Sequence, residues 1–395
     1  MKGAYSKKGV PWLTFGTFAL QSRKILWENL MPSEVYKKLR EQLDQYSCGF
    51  PATESGVEFK ILERLFTEEE AKMFLSLGLK VETPEEVAQR LELEPEAVSS
   101  ILHQMSEKGS VFRWRSGETV KYGAMPFMLG IYEFQLGVID GEMAGLYEQY
   151  FEEAFLGSTT TVEPLMRTIP VNRSVEVSHP IATYEDSREI VKRQKLIALA
   201  KCICRVQQGL LDKSCDKPVE VCFMFGSWGQ HYIDQGMARQ ITVEEALKIL
   251  DEAEEAGLVS QPSNSQNPGG MCNCCGDCCA ILRGLNKLPR PAEVVISNYF
   301  AAVDPELCTC CETCIERCQM GAIALNEDEV AEVNLDRCIG CGLCVTTCSG
   351  EALHLEIKPG EEHRKPPETD GEAMTMMAQK RGKSLTPLAF KTTLP

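Results

Sequence analysis

Apolar positions recur at helical spacing from Met31 onward. In MPSEVYKKLREQLDQY the proline suits an early helix position and the period predicts a helix. ILERLFTEEEAKMFLSLGL places Ile61, Leu62, Leu65, Phe66, Met73, Phe74 and Leu77 on the same period, so residues 31 to about 156 read as mostly helical. Thr83 is a good N-cap, with Pro84 at the first position of a helix running through Leu91. Glu94-Pro95-Glu96 opens a second helix, AVSSILHQMSEKG, which Gly109 stops. VFRWRSGETVKYGAMPF then alternates and turns at Ser116-Gly117, as a hairpin does. Residues 130 to 156 add one or two helices rich in Tyr, Phe and Glu.

The rest of the chain is less regular. Pro164, Pro170 and Pro180 mark an irregular stretch, after which a helix is expected from Tyr184 to about Gln208. Phe225-Gly226-Ser227-Trp228-Gly229 reads as a turn, and a helix runs from its N-cap Thr242 to Gly257. SQPSNSQNPGG is a loop by composition. Residues 300–358 form a compact unit with an internal repeat, and from 359 the polar, aperiodic chain reads as a disordered tail. The expected organisation is an arm (1–30), a helical domain (31–156), a cysteine-rich middle domain (157–299), the repeat unit (300–358) and the tail (359–395), α+β in class. The order helix, short helix, second helix, hairpin resembles winged-helix domains from Ile61 to about Phe127.

Composition adds two constraints. No run of 18 apolar residues is present, so no membrane span is expected. The net charge of −16 argues against general nucleic-acid binding, which depends on neutralising phosphates. Val10 to Leu20 is mildly apolar after two lysines but lacks a cleavage pattern, and Met31 offers an alternative start that would make the first 30 residues a dispensable arm.

Cysteine changes the picture most. Of 19 cysteines, 18 follow residue 200, at spacings where thiolates converge on metal more readily than they pair. A reducing cytoplasm is the expected compartment. Cys308-x2-Cys311-x2-Cys314-x3-Cys318 is followed 30 residues later by Cys338-x2-Cys341-x2-Cys344-x3-Cys348, with QMGAIAL and SGEALHL continuing the two halves in parallel. Three cysteines two residues apart wrap a loop around three irons of a cube, and the fourth iron is reached from elsewhere.

Over about 55 residues this segment resembles bacterial two-cluster ferredoxins. The resemblance implies two [4Fe–4S] clusters, one on Cys308, Cys311, Cys314 and Cys348, the other on Cys338, Cys341, Cys344 and Cys318. It also departs from the pattern: Gln319 and Ser349 stand where the family usually has proline, and Cys310 is an extra thiol. A zinc ribbon, with two separated CxxC pairs, fits the runs poorly. Eleven acidic and three basic residues between 300 and 358 lower the potential of a cluster and suit a basic docking face, or form a solvated acidic surface.

A second constellation lies upstream: nine cysteines between 202 and 279 that follow no common ferredoxin run. Cys202, Cys204, Cys215, Cys222, Cys272, Cys275 and Cys278 are the candidate ligands, an over-complete set. Cys202 and Cys204 are expected near the C-terminal end of a helix. A further iron–sulfur cluster, a structural zinc, and redox or simply buried thiols all remain open there.

Other chemistry is sparse. The five histidines are scattered, and no phosphate loop, dinucleotide fingerprint or Cys-x-x-Cys-His occurs. Residues 57–130 carry thirteen acidic and nine basic residues, and only Arg113, Arg115 and Lys121 of the hairpin offer themselves to phosphate, so protein docking is favoured over DNA reading. The expected function is electron transfer to or from a cytoplasmic oxidoreductase partner, as carrier or subunit. A redox-sensing transcription regulator and a reductase with an open iron are the alternatives.

Overall fold

The computed structural model describes residues 33–155, 164–171 and 184–388, so the expected N-terminal arm and the Met1 or Met31 question lie outside the described residues. The fold is mixed α and β: mainly helices up to residue 107, then a hairpin, then helices interleaved with a five-stranded sheet and two two-stranded ones.

The N-terminal helices follow the apolar period: α1 (Glu34–Leu43), α2 (Val57–Leu65), α3 (Glu68–Leu75), α4 (Pro84–Leu91) and α5 (Pro95–Glu107). The stretch after Ile61 divides in two because Thr67 starts a new helix with a reciprocal capping box to Glu70. Thr83 and Glu86 repeat that device at α4. Strands β1 (Phe112–Ser116) and β2 (Thr119–Gly123) pair antiparallel as the expected hairpin. A further helix, α6 (Gly141–Tyr150), buries Tyr147 and Tyr150 against Phe127.

The middle region departs from its sequence reading. The long helix expected from Tyr184 is instead α7 (Ser187–Lys192), strand β3 (Ile197–Lys201) and α8 (Ile203–Leu210). IALA is buried on both faces as an inner strand, where a short apolar run cannot be told from a helix by period. Cys202 and Cys204 therefore stand at the N-terminal start of a helix, not at its C-terminal end. Strand β4 (Glu220–Phe225) follows, and the expected turn at Gly226 opens helix α9 (Gly226–Asp234). Next come β5 (Ala238–Ile241), α10 (Val243–Glu255), β6 (Val259–Pro262), β7 (Gly270–Cys274) and α11 (Ala280–Asn286). The five strands form one antiparallel sheet in the order β5-β3-β4-β7-β6.

The hairpin packs onto α9. Arg115 donates two hydrogen bonds to the Asp234 carboxylate, at 2.8 and 2.5 Å, and Arg113 lies 3.6 Å from it. His231 stacks on Phe134 with ring centroids 4.1 Å apart and meets the Arg113 backbone through Nδ1. Burial holds its pKa down to about 4. An unfolded histidine titrates near 6.5, so between those values only the unfolded chain takes up the proton, and this contribution to stability falls as pH drops through the window. His231→Phe is expected to flatten acid destabilisation between pH 6.5 and 4 by up to about 3 kcal/mol relative to wild type, read from denaturant unfolding at each pH.

The repeat unit holds β8 (Tyr299–Val303), α12 (Thr313–Arg317), β9 (Ile323–Leu325), β10 (Ala331–Val333) and β11 (Leu353–Ile357), with β8 pairing β11 and β9 pairing β10. The expected disordered tail is corrected over its described part. Residues 370–380 form helix α13 (Asp370–Lys380), capped by Thr369, which buries Ala373, Met377 and Ala378. Arg381 then donates to the Asp44 carboxylate at 2.7 Å and to its backbone carbonyl at 2.6 Å. Asp370 of this helix accepts from Ser263, Ser265 and the Gly269 N–H, and Asp44 pairs with both Arg381 and Lys383, contacts with distant residues that leave no periodic signal in the sequence.

Candidate iron–sulfur centres

The two cysteine runs converge crosswise. One cavity is lined by Cys308, Cys311, Cys314 and Cys348, and a second by Cys338, Cys341, Cys344 and Cys318. Each run thus supplies three sulfurs to its own cavity and one to the other. Backbone N–H groups of Ala331 and Ala352 reach the Sγ atoms of Cys308 and Cys348 at 3.5 and 3.2 Å; those of Ala301 and Ala322 reach Cys338 and Cys318 at 3.4 and 3.2 Å. Such donors favour the thiolate and set the potential of a bound cluster.

The two nests differ in exposure. Cys311 lies on the surface beside exposed Leu307 and Glu312, whereas Cys344 and the loop through Leu343 are buried. Accordingly the Ala331 N–H lowers the Cys308 thiol and the Thr313 side chain lowers Cys311, while burial pushes Cys341 up to about 12 and raises Cys344. The extra thiol, Cys310, sits at positive φ, donates to the Glu329 carbonyl at 2.5 Å and lines the outer cavity beside Cys308.

Gln319, at a position where the resemblance leads one to expect proline, couples this unit to the middle domain. Its Oε1 accepts from the Gly276 N–H at 2.7 Å, and its carbonyl accepts from Asn286 at 2.9 Å. Arg337 reaches the carbonyls of Met320 and Leu288, at 2.9 and 3.1 Å, and Arg317 donates to the last carbonyls of α10. Two of the three basic side chains of the unit are spent on this seam, which leaves the outer face acidic. Gln319→Ala is expected to cost about 1–2 kcal/mol in denaturant unfolding by stranding the Gly276 donor. Nothing in the structure explains Ser349.

The nine upstream cysteines divide into two groups. Cys215, Cys275 and Cys278 bring their sulfurs within 4.8 Å of one another. Cys202, Cys204, Cys222, Cys272, Cys274 and Cys279 line a different cavity. The division follows local geometry. Cys272 and Cys274 share one face of β7, and Cys275 and Cys278 turn to the opposite side of the loop before Cys279 caps α11. The candidate set of seven thus draws on both groups and leaves out Cys274 and Cys279, which line the six-cysteine cavity and lie next to other cysteines in sequence. Arg205, fully buried, lies between the groups with both terminal nitrogens on the Asn273 carbonyl.

Beside the six-cysteine cavity is an apolar one walled by Met128, Leu129, Met224, Trp228 and, from α13, Met374 and Met377. Cys272, Met224 and Tyr232 border both. Glu133 stands at the same boundary, and burial pushes its carboxyl up to about 7.

Comparison with known proteins agrees with the cysteine chemistry of the C-terminal unit. Residues 331–354 match the 4Fe-4S binding domain family. An uncharacterised ferredoxin of Methanocaldococcus jannaschii is 35% identical over 89 residues, 22% of this chain and 51% of the relative. A subunit of the polysulfide reductase of Wolinella succinogenes is 27% identical over 103 residues, 22% of this chain and 52% of that one. Pyruvate synthase subunit PorD of Methanothermobacter marburgensis is 35% identical over 54 residues, 14% of this chain and 62% of the subunit. The chain thus spans about half to three-fifths of the length of these curated relatives. No solved structure matches it.

Proposed function

We infer that the iron–sulfur ferredoxin-type domain of this chain serves electron transfer, a reading supported by the 4Fe-4S family match and the ferredoxin relatives. We propose that this domain holds two [4Fe–4S] clusters, on Cys308, Cys311, Cys314 and Cys348 and on Cys338, Cys341, Cys344 and Cys318, and exchanges electrons with an oxidoreductase partner. The observation that carries the reading is the crossed convergence of the two runs on two cavities. A cube distributes four thiolates over four irons; the inner cavity offers four, and the outer offers the four of the crossed set with Cys310 as a fifth.

The outer nest is the electron port. Cys311 is exposed, and the surface around it carries Glu306, Glu312, Glu327 and Asp328 against little positive charge. A partner with a basic face is steered there, faster at low salt. The relatives from polysulfide reductase and pyruvate synthase are oxidoreductase subunits by name, which supports a partner of that class. A cytoplasmic location accords with the thiol-rich composition, and among the described residues no helix is long and apolar enough to cross a membrane.

The helical N-terminal domain serves as a winged-helix-like scaffold rather than a DNA reader. Of the three hairpin cations, Arg113 and Arg115 are engaged by Asp234 of α9 within the chain itself. The domain plan of helical scaffold, cysteine-rich middle and ferredoxin unit accords with these contacts.

Anaerobically purified protein tests the reading. About eight irons from the C-terminal unit, with electron paramagnetic resonance (EPR) signals of two reducible cubes, are expected. A protein with no reducible iron–sulfur signal overturns it.

A further inference from the structure

Six thiols in the middle domain close a ring. Cys202 faces Cys204 and Cys222; Cys222 faces Cys272; Cys272 faces Cys274; Cys274 faces Cys279; and Cys279 returns to Cys204. Four are buried outright and the other two nearly so, and none is in a disulfide. They come from three places: the start of α8, the paired strands β4 and β7, and the cap of α11.

The ring is hollow. A single zinc draws its sulfurs together, with zinc–sulfur bonds of about 2.3 Å. Among the described residues only Cys215, Cys275 and Cys278 stand as such a compact group. Sulfurs of the ring lie close to their two neighbours but not mutually close in threes, and the same openness holds for the two ferredoxin nests. An open thiol cage suits a body of metal and sulfide rather than one ion. One cube engages four thiolates, and six surround this space.

Position adds a second, independent argument. Cys274 and Cys279 share a packed cluster with Cys318, Cys338 and Cys341 of the inner ferredoxin nest. Cys318 and Cys338 also pack with Cys308, Cys314 and Cys348 of the outer nest. The centres therefore follow one another inward from the exposed port, and the ring stands last, against the apolar cavity. Arg205, a buried cation beside the ring, balances an anionic occupant.

We propose that Cys202, Cys204, Cys222, Cys272, Cys274 and Cys279 hold one polynuclear iron–sulfide cluster, the inner terminus of the electron path. The inference rests on the two-cube reading for its supply of electrons. Its step moves one electron and makes no bond. The inner cube is oxidised as the ring cluster is reduced, and a one-electron donor docked at the outer nest restores the cube through its neighbour.

The test uses the full chain purified without oxygen, with iron, acid-labile sulfide and zinc counted per chain. Iron clearly in excess of two cubes, which hold about eight, is expected, with sulfide in step. Replacing Cys222 and Cys272 together by alanine is expected to remove only the excess, leaving the EPR signals of the cubes. Cys215→Ala is expected to leave the excess in place. With the EPR signals of the two cubes present, wild-type iron of about eight or less overturns the proposal whether or not the variants fold, and so does zinc in place of the excess iron. Excess iron that survives the double substitution, or that Cys215→Ala removes, also overturns it. Failure of the two-cube reading shows separately: Cys314→Ala with Cys344→Ala then changes no signal, while the ring variants still change the metal count.

Discussion

Cys348→Ala is expected to empty the nest formed by the first cysteine run, 30 residues and more away in sequence, and to leave the second run's cluster in place. The thiol of Cys348 lines the cavity of Cys308, Cys311 and Cys314, held by the Ala352 N–H at 3.2 Å. The C-terminal unit then loses about four irons, half of its complement. Additivity distinguishes crossed from uncrossed ligation. If Cys348 and Cys311 serve one cube, the double variant loses no more iron than either single variant. Combining Cys348→Ala with Cys344→Ala, by contrast, removes both cubes. Uncrossed ligation gives the reverse pattern: the Cys348/Cys344 pair is redundant and the Cys348/Cys311 pair additive. Iron counts and spin quantification on these variants decide it.

Gly340→Ala is expected to be as damaging without removing any ligand. Gly340 adopts φ +67°, and a Cβ there would lie 2.2 Å from the Tyr299 carbonyl oxygen. The left-handed conformation alone costs a non-glycine residue about 1 kcal/mol. The clash is with backbone of the buried strand β8, which no rotamer change relieves, so the loop carrying Cys338 and Cys341 must move. Loss of the inner cube and several kcal/mol of stability are expected, on the scale of severe overpacking. Gly321 supplies the control. It also has positive φ (+56°), but nothing lies within 4 Å of the place a Cβ would take. Gly321→Ala is expected to cost only about 1 kcal/mol and to retain both clusters, by thermal unfolding and iron count.

Much of the N-terminal third was legible in the chain. Thr83 announces a helix because a short polar side chain followed three residues later by glutamate satisfies two otherwise free backbone N–H groups, and the same device at Thr67 divides a stretch that the apolar period alone ran through. The β3 region was not legible. IALA is apolar on every residue, and a strand buried on both faces carries no period to separate it from a helix. Gly226 misled in the same way, as its left-handed φ lies at the entrance to a helix rather than in a turn.

The ferredoxin spacing is local chemistry, because three cysteines two residues apart already form a loop around a cube. Sequence alone therefore determined that chemistry, its duplication and its acidic surroundings. Which thiols stand together in the middle domain was decided only by tertiary structure. Strand β7 sends Cys272 and Cys274 to one side while the next loop sends Cys275 and Cys278 to the other, and the partners of each arrive from distant strands and helix ends. Helix α13 likewise becomes a wall of the apolar cavity only through contacts with residues far along the chain. Spacing records what a short loop can encircle; it holds no record of which distant segments a folded sheet brings face to face.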